Sequence, residues 1–405
     1  MNRIAIIGGG ACGLATANQL KRKNPALEVV VMERNPTVGK KILMTGNSKG
    51  NLSNLHIAPE AYNNPEFVKP ALRYGPKEFL AFATLLGLET KIDEEGRIWP
   101  YSESANSYLD VLRLSNKELG VKELTNYEVF AFEQNAKKQF IINGNEVFDY
   151  VVIATGSNAG YGPKAPVTSL PKMIKGTGHQ YTKLAPSVCP IGVQENVRSL
   201  SGLHVKCAAS IFIDGNKKFT TSGEIQFKDD ALSGIAIFEL SSFLARAFVQ
   251  GPVSHADVEL DLFPDQTEKA VETMLKEKHA LHPERLAPEF FVGLFSKMIG
   301  LYIINRLKLQ EITEASIAEM AHLFKHFRFA VNLDYHVTNN QVVSGGIRLS
   351  EVNNATLESK LFPHLYLGGE VLDIDGLCGG YNLHFAFASG SLIADSINER
   401  ITHHD

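Results

Sequence analysis

The chain opens MNRIAIIGGGACGLATANQL, and this opening constrains the fold more than anything downstream. Arg3 to Ile7 is a short apolar run of strand character. Gly8-Gly9-Gly10-Ala11-Cys12-Gly13 comes next, and Leu14 to Lys21 continues with helical spacing. The pattern G-x-G-x-x-G between a strand and a helix is the fingerprint of a dinucleotide turn. Gly8 permits the tight turn, Gly10 lets a pyrophosphate approach the backbone, and Gly13 lets the helix pack close to the strand. The helix start adds unpaired N–H groups and the positive end of the helix dipole, both suited to phosphate. A second apolar run, Glu28 to Met32, ends at Glu33, 20 residues after Gly13. An acid there binds the ribose hydroxyls of an adenosine and disfavours a 2′-phosphate.

Composition bounds the partners. At 405 residues the chain has room for two or three domains. Its net charge of −4 offers no basic footprint for nucleic acid. No apolar stretch reaches the length of a membrane span, and the N-terminus reads as a core strand, not a cleavable signal, so a cytoplasmic protein is expected. The four cysteines, Cys12, Cys189, Cys207 and Cys378, form no C-x-x-C pair. Neither a dithiol redox centre nor a zinc site is indicated, and reduced thiols are expected. Cys12 reads as a small residue filling the phosphate turn.

The choice among dinucleotides rests on the residues after Glu33. Arg34 and Asn35 lead into Gly39 to Asn54, a run of small and amide residues too poor in apolar content for a core element. It reads as a loop whose backbone wraps a polar ligand, where a simple nicotinamide domain would proceed to its next helix and strand. Tyr127 to Phe132, Gln139 to Ile142 and Glu146 to Ile153 read as three strands, the last running into Ala154-Thr155-Gly156. Glycine after an apolar strand suits a backbone passing under a bound cofactor. Near the C-terminus, Leu365 to Leu367 leads to Gly368-Gly369-Glu370, then to Asp373 and Gly379-Gly380-Tyr381-Asn382. A helix is predicted from about Leu383 to Asn398, and its open N-terminus could offset negative charge on a reduced flavin. The cofactor expected is FAD.

These motifs resemble those of the YhiN/BaiN-like bacterial flavoproteins, which include aminoacetone-oxidase-like members. The resemblance is carried by the glycine turn with Glu33, the Lys41 to Asn54 loop, and Gly96-Arg97-Ile98-Trp99-Pro100-Tyr101-Ser102. Gly223 to Phe227 with Leu232-Ser233-Gly234, Ser344 to Ile347, Leu357 to Lys360, and the block from Gly369 to Gly390 complete it. It implies an α/β protein of three domains. These are a discontinuous Rossmann-like FAD-binding domain (1–184 and 340–405), an inserted β-rich substrate domain (185–263 and 327–339), and a small helical domain (264–326). Two departures stand out. Ser48 and Gly50 occupy positions where the family has glycine and cysteine, so no cysteine faces the flavin from that loop. The stretch from Gly156 to His179 is a reduced version of the family's Gly-Ser-Thr-Gly-Asp-Gly segment.

The middle fits that layout. Val205 to Ile213, Lys218 to Thr221, Glu224 to Phe227 and Val253 to Phe263 read as strands. From Asp265 the spacing turns helical, with starts at Asp265, Pro288 and Thr313 or Glu314, and strands return over Phe327 to Leu333 and Tyr335 to Val343. The candidate cofactor-binding residues are Gly8, Gly10, Ala11, Cys12, Gly13, Glu33, Arg34, Lys41, Thr45, Gly46, Asn47, Asn51, Val129, Ala154, Thr155, Gly156, Gly369, Glu370, Asp373, Gly380, Tyr381 and Asn382.

No catalytic residue or metal ligand is assigned. There is no H-E-x-x-H or G-x-S-x-G, and His179, His204, His336, His364 and His384 are scattered. His384 is the one placed to approach a flavin, at the start of the last helix; Trp99 and Tyr101 read equally as pocket or core. Flavin chemistry needs no protein nucleophile. The expected function is an FAD-dependent oxidoreductase moving a hydride between a small organic substrate and the flavin N5, with oxygen or another acceptor reoxidising it. An NAD(P)H-dependent reductase of an unsaturated substrate is the alternative, and a non-catalytic flavin-binding module is the alternative from another class.

Overall fold

A computed structural model describes residues 2–157, 159, 177–337 and 339–404. Most of the shortened segment between Gly156 and His179 lies outside these residues. The chain divides into two compact units, Met1–Pro186 with Thr338–Asp405, and Ser187–Val337.

The first unit is built on a five-stranded parallel sheet. Its order is Leu365–Leu367, Tyr150–Ile153, Arg3–Ile7, Glu28–Met32, Lys122–Leu124. Ala5 pairs with Val30 on one side and Val151 on the other, and Val152 pairs with Tyr366. The central strands are buried along nearly their whole length, which is why they read as unbroken apolar runs. Helix Ala11–Lys23 follows the first strand, and the C-terminal helix Tyr381–His404 packs against it. The approach is close: a side chain on Gly390 would come 2.8 Å from Thr16 Oγ1. On its other side that helix inserts Phe387 between Phe79 and Phe82, with ring centroids 5.2 and 5.1 Å away.

A short antiparallel sheet in this unit trims the expected strands. Strands Phe132–Gln134, Phe140–Ile142 and Glu146–Phe148 form a meander. Tyr127 to Ala131 stays outside it, because Tyr127 N donates to Glu33 O and Phe130 N to Asn143 Oδ1. The run expected from Glu146 to Ile153 breaks at Asp149, where chain and side chain both bond Arg3, and its second half joins the parallel sheet. The C-terminal helix extends beyond the expected limits at both ends.

The second unit carries a six-stranded antiparallel sheet. Its order is Ile191–Gly192, Ala231–Ser233, Asn216–Phe227, His204–Ile213, Ala256–Asp261, Phe327–Ala330. Asn216–Phe227 is one continuous strand where two were expected, because it pairs with His204–Ile213 along its whole length. Helix Ile235–Gln250 was not read from the sequence: Ile235, Ile237, Phe238, Leu240, Phe243, Leu244 and Phe248 put apolar groups around much of its circumference. Helices Glu268–Leu281, Ala287–Phe290, Lys297–Leu307 and Glu314–Lys325 follow. Thr267, not Asp265, caps the first, by accepting from Ala270 N. Thr313 caps the last, as expected. Sheet and helices share one apolar core, with Phe324 of the last helix among Phe263, Phe291 and Phe295. Tyr335 does not begin a strand. Its ring lies on Gly192, where a side chain would approach within 2.1 Å.

Removing a fully enclosed ring leaves a cavity that surrounding side chains fill only in part. Phe387→Ala is expected to cost about 3–5 kcal/mol, measured by denaturant unfolding, whereas Phe387→Leu should cost clearly less; equal losses would mean the helix does not depend on this ring.

Candidate active site

The parallel sheet ends in a cleft whose walls come from both ends of the chain. One wall is the turn Gly8-Gly9-Gly10 with Ala11 and Cys12; Gly39 to Ile42 with Thr45, and Ala154 to Ser157, add to it. Gln341, Val342, Gly368 to Glu370, Asn382, Leu383 and Ala386 supply the rest.

Two glycines make the turn possible. Gly8 sits at φ +109°, and a side chain on it would stand 2.4 Å from Ala154 O; one on Gly13 would stand 2.0 Å from Gly8 O. Gly10 differs, since a side chain there would meet no atom within 4 Å and would project into open space. Helix Ala11–Lys23 opens on Gly10 with no side-chain cap and no acidic residue in its first turn. Its leading N–H groups are therefore left for an anion.

Glu33 is locked at the opposite end of the turn. One carboxylate oxygen accepts from Gly9 N at 3.0 Å, and the other from Asn35 N at 2.8 Å and Asn35 Nδ2 at 2.5 Å. Met32, Arg34, Asn35, Tyr127, Glu128 and Val129 line the cleft beside it. Further along, Lys41 Nζ donates to Ser157 O and lies 3.4 Å from Glu370 Oε2, while Glu370 Oε1 accepts from Val343 N. Thr155 Oγ1 is buried in the cleft wall with no hydrogen-bond partner among the described residues. Cys12 also lines the wall, but burial raises its thiol to about 11, so it stays protonated and is no nucleophile.

Seven of the expected site residues are not among those lining the cleft. Gly13 is spent on helix–strand packing. A side chain on Gly46 would strike Trp99 at 2.7 Å, and Asn47 continues the same turn at φ 54°. Asn51, in the amide orientation that satisfies both partners, donates to Ser53 O and accepts from Gly380 N. Gly380 is pressed on Ser53 O, which a side chain would approach within 2.5 Å. Asp373 accepts from Asn63 and Thr182, and Tyr381 O accepts from Tyr62 Oη. These residues hold the wall from behind. Asn382 does both jobs: it lines the cleft while its amide clamps Gly376 at 2.8 and 2.9 Å.

The histidines take no part in the lining. His384 is fully buried, Nδ1 pairs with Ser53 Oγ at 2.8 Å, and burial pushes its pKa down to about 3, so the ring is neutral. His179 pairs with Ser359 and His364 stacks on Tyr150. Trp99 donates to Asp93 and Tyr101 is exposed. The lining residues that sequence reading missed include Gly9, Ser157, Gln341, Val342, Leu383 and Ala386. Each neighbours a motif it did find, and Gly9 carries the hydrogen bond that orients Glu33.

The residues fit a flavin dinucleotide. Gly10 leaves room for a pyrophosphate, the carboxylate of Glu33 stands where ribose hydroxyls would reach it, and the orphaned Thr155 hydroxyl awaits a polar ligand atom. This is the fold and site of an FAD-dependent oxidoreductase. Known proteins agree with that assignment. The sequence profile of the HI0933-like protein Rossmann domain matches residues 2–396, so the chain belongs to the HI0933-like family. A 3-dehydro-bile acid delta(4,6)-reductase of Clostridium scindens is 31% identical over 99% of this chain and 100% of its own length. A ribosomal RNA dihydrouridine synthase of Haemophilus influenzae is 27% identical, covering 98% of each chain. Among solved structures, E. coli quinol fumarate reductase shares the fold with a TM-score of 0.51 at 14% identity, over 100% of this chain and 72% of that one. The 3-ketosteroid delta1-dehydrogenase of Sterolibacterium denitrificans does so with a TM-score of 0.51 at 11% identity, over 99% and 100%.

Thr155→Val keeps the shape of the wall and removes the orphaned hydroxyl. Losing one hydrogen bond of about 0.5–1.5 kcal/mol should weaken FAD binding by about 2- to 12-fold, while the apoprotein should lose no stability. Fluorescence titration of apoprotein with FAD, beside a melting curve, checks both; a less stable apoprotein with unchanged affinity would place the hydroxyl in the fold instead.

Proposed function

We propose that this chain is an FAD-dependent reductase of a carbon–carbon double bond in a small, conjugated organic substrate, adding a hydride to one carbon while water supplies the proton to the other, and drawing its electrons from NAD(P)H. One observation carries the reading. Among the described residues a single strand–turn–helix carries a dinucleotide fingerprint, and bound FAD would occupy it. A nicotinamide donor therefore has no Rossmann site of its own and would visit the cleft in turn with the substrate. The direction of reaction is supported by relatives aligned over nearly the whole chain whose names are those of a reductase and of dihydrouridine synthases.

When bound, FAD supplies a two-electron carrier whose N5 takes up and gives back a hydride. The chain's own residues do the rest. Glu33 would hold the adenosine ribose, the first turn of helix Ala11–Lys23 the pyrophosphate, and Thr155, Lys41 and Glu370 the cofactor further along the cleft. Cys12 and His384 are held in their uncharged forms by burial, so neither supplies a proton carrier beside the ring. A small substrate is favoured over RNA by the net charge of −4. The four cysteines are free thiols, which supports a reducing, cytoplasmic setting. No described helix is long and apolar enough to cross a membrane.

Anaerobic addition of NADH or NADPH should bleach the yellow flavin band within seconds. Adding an α,β-unsaturated ketone should then restore it without oxygen. A flavin that neither nicotinamide bleaches, but that an amine or alcohol substrate does, would reverse the reading to an oxidase; restoration by ribosomal RNA alone would replace the small substrate with a nucleic acid.

A further inference from the structure

In the second unit, three side chains from two helices converge at the surface. Glu268 begins helix Glu268–Leu281, and His322 and His326 stand one turn apart near the end of helix Glu314–Lys325. His326 is the residue that ends that helix, and its ring packs beside that of His322 with centroids 4.8 Å apart. Glu268 Oε2 lies 3.3 Å from His322 Nδ1 and 3.6 Å from His326 Nε2. The three ligand atoms all fall within 4.8 Å of one another. In a tetrahedral site with bonds of about 2.1 Å, ligand atoms stand about 3.4 Å apart, so two of these pairs already have the separation a shared ion would impose.

A further carboxylate stands behind them. His326 presents its other nitrogen, Nδ1, to Glu259 Oε2 at 3.3 Å. Glu259 is almost buried, and the same oxygen accepts from Arg328 Nε at 2.6 Å. A carboxylate at this distance from Nδ1 favours the tautomer protonated there, which leaves the Nε2 lone pair on the side of Glu268. This carboxylate–histidine arrangement is how proteins orient histidine ligands for a metal. The neighbouring cations are engaged elsewhere: Arg328 with Glu259, and Lys325 with Asp261 and the carbonyls of Phe263 and Gln266.

We propose that Glu268, His322 and His326 form a surface site for a divalent transition-metal ion of the zinc type, with Glu259 orienting His326. Two neutral imidazoles and one carboxylate suit such an ion better than magnesium or calcium, which take oxygen ligands. Exposure leaves the remaining coordination position to water. The ion would clasp the start of one helix to the end of another.

The test uses flavin-loaded protein freed of metal, titrated with zinc chloride by calorimetry and followed by melting temperature. One zinc ion per chain should bind and raise the melting temperature. His322→Ala and Glu268→Gln should each weaken binding by more than about 100-fold, and Glu259→Gln by about 10- to 100-fold, with the zinc-dependent rise in melting temperature falling in step. Ion pairing between protonated histidines and Glu268 is the competing account. It predicts no stoichiometric zinc binding, or weak binding that is the same in the wild type and in all three variants, and either result overturns the proposal.

Discussion

The hydrogen bond from Gly9 N to the carboxylate of Glu33 ties together the two strands on which the flavin unit is built. It joins the turn after the first strand to the tip of the second, and it can form only because Gly8 lets the backbone reverse at φ +109° under Ala154. With that turn in place, helix Ala11–Lys23 must pass within contact of Gly8 O, which only Gly13 allows. The packing against the C-terminal helix depends on the position of that first helix. One carboxylate and two glycines thus set where the sheet ends, where the helices lie, and where an anion would be welcome.

How much of this is legible in the sequence depends on whether the signal is local. The phosphate turn, Glu33 and the Ala154-Thr155-Gly156 strand end are local, and all of them but Gly13 line the cleft. Strand limits were harder. Asp149 splits one expected strand in two because its partner is Arg3, far away in the chain. Helix Ile235–Gln250 hid because its apolar residues surround too much of its circumference to leave a stripe. In the C-terminal loop, glycine has two uses that sequence cannot separate: contact with a ligand and contact with the chain itself. Gly369 lines the cleft, whereas Gly380 spends its lack of a side chain on the carbonyl of Ser53.

Burial also decides what chemistry the walls can do. Cys12, at about 11, and His384, at about 3, are both neutral for want of solvent. Stability should respond to this in acid. The unfolded chain protonates His384 near pH 6.5 while the folded one does so only near 3, so protons favour the unfolded chain and stability falls as pH drops between those values. Among the charged groups of the cleft, Glu33, Lys41 and Glu370 keep partners in the protein, and a cofactor's ribose and phosphates would be their natural counterparts.

The parallel sheet seats Tyr150–Ile153 between the first strand of the chain and Leu365–Leu367, so its last edge is added more than 200 residues after its neighbour. A ribosome adding about 5–20 residues per second would take roughly ten seconds or longer to cover that distance. Until then the nascent sheet presents an open hydrophobic edge, and the cleft lacks the wall formed by Gly369, Glu370 and Asn382. Cofactor capture would thus be a late event in the life of each molecule, and flavin supply could act as a checkpoint on finished chains.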